Sequence, residues 1–294
     1  MSSNCRNGST GGIKEMETRI THAAKEVIIG GGKPTVLIGE RINPTGRKKL
    51  AAALKGGDWE YLQEQALRQV EVGADILDVN VSMTGADQVS LLPRAVEVVM
   101  DVVDVPLCID SDDPAALKAS LEVYEGKPLV NSVTGEEKSL SSVLPLIEEY
   151  GAAVIGLTMD EEGIPTDPGK RVAIARKIVE RAESLGIKRQ DVVLDCLTLT
   201  IGADITSGVV TIGAIRRIKE ELGVNMSSGA SNISFGMPDR DCINNAFLAI
   251  IIASGVTCPI VNVAKVRPIV LATDLLMGRD KFAMRYIEDY RKRK

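Results

Sequence analysis

The segment DWEYLQEQALRQVEVGADILDVNV, residues 58–81, changes its period at a single glycine. Up to Ala74 the apolar residues recur at helical spacing behind Asp58, an acidic residue of the kind that caps a helix start. Past Gly73 the run DILDVNV (75–81) is short and apolar, the signature of a buried strand. A helix handing over to a strand is half of a βαβ unit, and the unit recurs along the chain. Candidate strands are TVLIGE (35–40), DILDVNV (75–81), PLCIDS (106–111), PLVNSV (128–133), AAVIGLT (152–158), VVLDCLT (192–198), SGASNIS (228–234) and CPIVNVA (258–264). Helix-like segments such as DPAALKASLEVY, GKRVAIARKIVERAESLG and IGAIRRIKEELG lie between them, and Gly151, Gly186, Gly223 and Gly255 repeat the handover seen at Gly73. Strands alternating with helices pair in parallel, and eight of them predict closure into a (β/α)8 TIM barrel, an α/β fold that fills about 250 residues as one domain.

Composition agrees. Hydrophobic residues make up 45% of the 294 residues and aromatics only 3%, so the core must be built from Ile, Val, Leu and Ala, as in a parallel sheet wrapped by helices. Ahead of the first barrel strand, TRITHAAKEVIIGGGKPT reads as a hairpin turned by GGGK that caps the N-terminal mouth of the barrel. Residues 1–17 are expected to be poorly ordered, and 18–294 to form one domain without an internal linker. A net charge of −5 with scattered basic residues gives no footprint for nucleic acid. The five cysteines, Cys5, Cys108, Cys196, Cys242 and Cys258, lack metal-ligand spacing and point to a reducing, cytoplasmic setting. The apolar run AFLAIIIASG (246–255) is far short of the ~20 residues that span a bilayer, so no membrane association is expected.

TIM-barrel chemistry sits at the C-terminal ends of the strands. There the sequence places Glu40, Asp78, Asn80, Asp110, Asn131, Asp195, Asn232 and Asn262, which are carboxylates and amides almost throughout. The single histidine, His22, falls in the hairpin and reads as a surface or cap residue, so the mouth has no His base, no His-ligated zinc and no Ser-His-Asp triad. A Gly-rich phosphate loop after strand eight is missing from NVAKVRP. Acids interleaved with amides suit Mg²⁺ less well than a dense acidic cluster does, and no metal is expected. They suit a flat, neutral heterocycle with a mixed hydrogen-bonding edge, such as a guanine-like or pterin-like ring whose N–H and NH2 donate to one carboxylate. Any single Asp or Asn at a strand end is more often a turn or cap residue; it is the ring of eight that points to a site.

The stretches VLIGERINPTGRKKL, ADILDVNV, LCIDS, LVNSV, AAVIGLTMDEEGIPTD, LDCLTL and SNISFGMPDR, in this order, resemble the pterin-binding methyltransferases. These are the methyltetrahydrofolate:corrinoid protein methyltransferases and the folate domain of cobalamin-dependent methionine synthase. The likeness spans roughly residues 18 to 280. It implies a homodimeric barrel of one-carbon metabolism that binds tetrahydrofolate or 5-methyltetrahydrofolate at its mouth. Motif by motif, Asp110 and Asp195 match the carboxylates that hold the pterin's amide and amino donors. Asn131 matches the amide that completes those contacts. Glu40 and Arg240 match positions lining the folate site, and Asp78, Asn80 and Asn262 stand as supporting residues.

Asn232 matches an amide that swings toward N5, the atom that carries the methyl group. A tertiary amine leaves poorly, so transfer from N5 needs a hydrogen bond or proton to stabilise charge in the transition state. Without a mouth histidine, a solvent proton reaching N5 through a hydrogen-bonded network fits the residue inventory. The chain lacks the Asp-x-His-x-x-Gly pattern of cobalamin-binding domains and a zinc site for homocysteine. The resemblance therefore implies in-line methyl exchange with the cobalt of a corrinoid on a separate protein, such as occurs in methyl-donor demethylation. Three other readings stand beside this one. They are a Schiff-base aldolase using Lys265, a non-catalytic folate-binding or scaffold subunit, and a dihydropteroate synthase, whose first-strand loop differs.

Overall fold

The computed structural model describes residues 16–294. Eight parallel strands close into a barrel, in chain order β3 (Ile38–Ile42), β4 (Ile76–Asn80), β5 (Leu107–Asp110), β7 (Leu129–Thr134), β8 (Ala153–Leu157), β9 (Val192–Asp195), β10 (Met226–Gly229) and β11 (Cys258–Val261), the last pairing back to β3. Three short strands lie outside: β1 (Glu17–His22), β2 (Lys25–Gly30) and β6 (Gly126–Lys127). The helices are α1 (Lys48–Gly56), α2 (Trp59–Glu71), α3 (Gln88–Met100), α4 (Pro114–Val123), α5 (Glu137–Tyr150), α6 (Pro168–Ser184), α7 (Ser207–Leu222), α8 (Arg240–Ser254), α9 (Val263–Leu276) and α10 (Met284–Lys292). The barrel expected from the sequence is the barrel observed. Most of the expected segment 1–17 lies outside the described residues, and β1 opens at Glu17.

Local chemistry sets the helix ends. Asp58, Asp113 and Asp167 accept hydrogen bonds from Tyr61 N, Ala115 N and Lys170 N, capping α2, α4 and α6. Gly151 and Gly223 close α5 and α7 with φ of 62° and 67°, a region that a Cβ disfavours.

Side chains alternate across each strand, so each strand supplies two cores. One face packs outward on the helices through Leu77, Val79, Ile109, Val130 and Leu194. The other fills the barrel with Ile38, Ile76, Cys108, Leu129, Ala153, Ile155, Val193 and Cys258. Ile20 and Ile29 of the β1–β2 hairpin plug this inner core from the N-terminal end, both fully buried. Asn225, ahead of β10, ties the plug down by donating to Thr18 Oγ1 at 3.0 Å and Ile29 O at 3.0 Å.

The expected hairpin turn is wrong in place. Register pairs His22 with Lys25, so the chain reverses at Ala23–Ala24, with Ala23 at φ 48°. GGGK is the exit toward β3 instead, and Gly30 lies where a Cβ would meet Asn225 Oδ1 at 2.1 Å. His22 is also buried rather than on the surface, its Nδ1 3.2 Å from Glu125 O and its ring against Tyr124.

The seventh and eighth strands differ from expectation as well. SGASNIS (228–234) is not a strand: β10 ends at Gly229, and Ala230–Ser234 form a 3-10 turn. CPIVNVA ends as a strand at Val261, where Asn262 stands at the N-cap of α9. Short Ser and Asn side chains compete for backbone hydrogen bonds and favour turns over ladders.

Candidate active site

Inward-facing positions above the apolar barrel core carry the polar residues. Asn80 on β4 pairs in register with Asp110 on β5, and Asp110 with Asn131 on β7, so three adjacent strands set these residues side by side. One layer lower, Asp78 is buried beside Cys108 and accepts a hydrogen bond from Asn131 Nδ2 at 3.3 Å. Burial and the neighbouring Asp110 push the Asp78 carboxyl well above the usual carboxylate range. Burial raises Asp110 to about 6, and hydrogen bonds from Asn80 and Asp78 counter that rise. Close carboxyls in a low-dielectric site compete for protons, and the stronger rise at Asp78 makes it the one that favours its proton and Asp110 the one that favours the charge.

Gln88, which sequence reasoning did not single out, organises the loops after β4 and β5. Its Oε1 accepts from Ser82 Oγ and Ser111 Oγ, both at 2.9 Å, while Asn80 Oδ1 accepts from Ser82 N at 2.8 Å. It opens α3, where sequence reasoning finds only an ordinary helix residue.

Asp195 ends β9 and is buried, and it accepts from Leu197 N at 2.7 Å. Burial raises its pKa, against backbone hydrogen bonds from Leu197 and Gly229 and the nearby Arg171 guanidinium. Ser227, in register with Asp195, and Thr158, whose N–H donates to Asp195 O at 3.0 Å, have buried hydroxyls without partners among the described residues.

Asn232 is exposed on the 3-10 turn, three residues beyond the end of β10. Its Nδ2 lies over Gly229, 3.3 Å from where a Cβ there would stand. The turn is held from outside. Arg240 donates from Nε to Ser234 Oγ at 3.0 Å and from Nη2 to Ser231 O at 2.9 Å, and Ser234 Oγ donates to Asn244 Oδ1 at 2.7 Å. Arg240 is thus a brace of the turn in this structure, with its guanidinium over the Phe235 ring.

Glu40, Arg240 and Asn262 line one cleft of about 450 Å³, together with Arg41, Arg47, Asp241, Asn244 and Lys265. Burial raises the pKa of Glu40, while Arg47, Arg41 and Arg240 lower it. The sequence places the end of the first strand at Glu40, but β3 runs on through Arg41 to Ile42, and Arg41 with Arg47 at the N-cap of α1 makes this side of the mouth cationic. Lys265 lies in the first turn of α9 rather than at a strand end, exposed and bound by both carboxylate oxygens of Asp241 at 2.9 Å. Among the described residues no three His, Cys, Asp or Glu side chains converge to hold a metal ion.

The chain belongs to the family described as pterin binding enzyme, whose sequence model matches residues 39–262. It is 28% identical over 267 residues to the methylcorrinoid:tetrahydrofolate methyltransferase of Eubacterium limosum, covering 88% of this chain and 97% of that one. It is 33% identical to the methionine synthase of Mycobacterium leprae, which it matches over 81% of its own length but only 21% of that protein's. Among solved structures, a Yersinia pestis DHPS with a pterine-sulfa conjugate superposes with a TM-score of 0.70 at 16% identity, covering 89% of this chain and 99% of that one. That likeness establishes the shared barrel.

Proposed function

We propose that this chain transfers a methyl group between N5 of tetrahydrofolate and the cobalt of a corrinoid carried by a separate protein. The observation that carries the reading is the Asn232 amide: exposed, poised over Gly229, on a turn braced by Arg240, at the same mouth as the Asp110 and Asp195 carboxylates. A pure binding protein needs the carboxylates but no amide of this kind. The likeness to a methylcorrinoid:tetrahydrofolate methyltransferase over nearly its full length supports the same reaction.

In this reading Asp110 and Asp195 accept the pterin's paired N–H donors. Asn131, fixed by Asp78, completes the ring's polar edge. The donor set suits a neutral heterocycle, because the proton held by Asp78 limits the negative charge on that side of the floor. The cationic rim of Arg41, Arg47 and Arg240 suits the carboxylates of the folate tail. Asn232 hydrogen-bonds N5 in the transition state, where a neutral amide works as donor whatever the pH. The corrinoid supplies a nucleophilic or methyl-bearing cobalt. This chain's histidine is buried in the cap at the opposite barrel end and provides no ligand there. Among the described residues Cys108, Cys196, Cys242 and Cys258 are free thiols, which fits a cytoplasmic protein, and a homodimer is the expected working unit. No helix among the described residues is long and apolar enough to cross a membrane.

The test is anaerobic absorbance with tetrahydrofolate, this protein and methylcobalamin, free or on a corrinoid protein. Enzyme-dependent loss of the methylcobalt band with formation of 5-methyltetrahydrofolate is expected. No turnover with either corrinoid, in the presence of tight tetrahydrofolate binding, would replace this reading with a non-catalytic folate-binding subunit. The arginine-rich rim also favours a second reading, a dihydropteroate synthase, since guanidinium groups hold diphosphates equally well. Condensation of a dihydropterin diphosphate with p-aminobenzoate would decide for it.

A further inference from the structure

Arg171 is the largest fully buried side chain described, at 0% exposure, and its hydrogen-bond partners among the described residues are carbonyls and one hydroxyl, with no carboxylate. It rises from α6 into the loop that leaves β9. Its Nη1 donates to Cys196 O at 2.6 Å, to Leu197 O at 2.7 Å and to Thr211 Oγ1 at 3.2 Å, and its Nε donates to Pro165 O at 2.7 Å. Its Nη2 has no partner among the described residues. A buried cation with an unsatisfied nitrogen costs free energy that a well-packed apolar side chain would not. Its retention therefore calls for something other than packing.

What the guanidinium grips is the peptide that follows Asp195. Leu197 has φ of 52°, a left-handed conformation uncommon for a residue with a branched side chain. That conformation turns the Leu197 N–H back onto Asp195 Oδ1 at 2.7 Å. The carbonyls on either side of that N–H are the ones Arg171 holds.

We propose that Arg171 is a positioning residue for Asp195: it locks the 196–197 turn that aims the carboxylate into the barrel mouth. The inference deepens the pterin reading and rests on it for the ligand, though not for the geometry. The titratable groups that feel Asp195 are Arg171 from α6, Cys196 at its own strand end and Cys258 on β11. Burial pushes both thiols up, Cys258 to about 12, so neither carries charge near neutral pH. Against the burial of Asp195 stand first the backbone hydrogen bonds from Leu197 and Gly229, the former made by the turn that Arg171 holds, and then the guanidinium charge itself.

The experiment compares wild type with Arg171→Met and Arg171→Lys, each checked for folding by circular dichroism. Two readouts need no ligand: the carbon-13 titration of the Asp195 carboxyl and the exchange rate of the Leu197 amide. In Arg171→Met the carboxyl midpoint should rise by about one pH unit or more, and the Leu197 amide should exchange about tenfold faster. In Arg171→Lys the charge stays but the fork is lost, so exchange should accelerate while the midpoint rises less than in Arg171→Met. Tetrahydrofolate affinity, measured against pH, should lose its acid limb earlier in Arg171→Met than in wild type. If Arg171→Met does not fold, Arg171→Lys and Thr211→Val still test the turn through the Leu197 amide. A folded Arg171 variant with unchanged Leu197 exchange and an unchanged Asp195 midpoint would overturn the proposal and leave Arg171 a packing residue. Wild-type protein that fails to bind tetrahydrofolate would sink the pterin reading alone, since the two ligand-free readouts would still stand.

Discussion

Asn131 on β7 donates its amide to Asp78 on β4, 3.3 Å away and 53 residues distant in the chain. The bond engages Nδ2 of the Asn131 amide from the layer below. Asp78 therefore acts through its neighbours, holding Asn131 by accepting its amide and, with its own carboxyl raised, leaving the charge to Asp110.

Asp78→Asn supplies an amide donor in place of the protonated acid. It is expected to keep tetrahydrofolate binding within about threefold, whereas Asp78→Ala leaves Asn131 without its partner and should cost about 1–3 kcal/mol of stability. Thermal denaturation and isothermal titration of both variants check the pair. Equal losses in the two would show that the proton on Asp78 has no role.

With Asp110 raised to about 6, protonation removes the acceptor that a pterin needs as pH falls through that value. Affinity for tetrahydrofolate should weaken about tenfold per unit below about pH 6. The sign for folding is opposite. The folded protein holds this proton more tightly than the unfolded chain, so the stability it contributes is present below about pH 4 and lost as pH rises through about 6. Asp110→Asn should abolish the step in both titrations; a step that survives would assign it elsewhere.

Asn232→Ala should lower kcat by about 10²–10³, the effect of removing one hydrogen-bond donor aimed at developing charge, with little change in the dissociation constant for tetrahydrofolate. Single-turnover kinetics separates the two quantities. A variant that loses affinity but keeps kcat would make Asn232 a binding residue only.

Lys265→Ala breaks an exposed ion pair with Asp241, worth about 0–1 kcal/mol. Turnover should stay near wild type, and borohydride with carbonyl compounds should leave no adduct at this position. Trapping at Lys265 would instead establish Schiff-base chemistry.

Ile20→Ala in the hairpin plug should cost about 2–5 kcal/mol, since the side chain is fully buried against the inner barrel core. Denaturant titration measures it. A cost near zero would mean that the hairpin does not contribute to the barrel's stability.

The strands that read clearly were those with branched apolar runs. DILDVNV and AAVIGLT became β4 and β8 with ends shifted by a residue or two. SGASNIS was misread because its polar, small residues carry no strand period. The true strand, Met226–Gly229, is set by ladders to β9 and β11, with Ser227 opposite Asp195 on one side and Cys258 on the other. The same shift moved Asn232 from a strand end to a 3-10 turn. GGGK was misplaced as a turn for a related reason, because glycines mark flexible backbone without saying which reversal they serve.

The sequence by itself determined the barrel, since the alternation of helical and strand periods and the glycine handovers are properties of neighbouring residues. It also determined that Asp78, Asn80, Asp110, Asn131 and Asp195 face inward on their strands, because period two decides which side chains do so, but not that Asn232 and Asn262 leave theirs. Only the tertiary structure decided which carboxyl burial raises most, which side chain braces the Asn232 turn, and that Arg171 from α6 holds the turn beside Asp195. Protonation and aim depend on burial and on partners far away in the chain, and neither exists until the strands have closed.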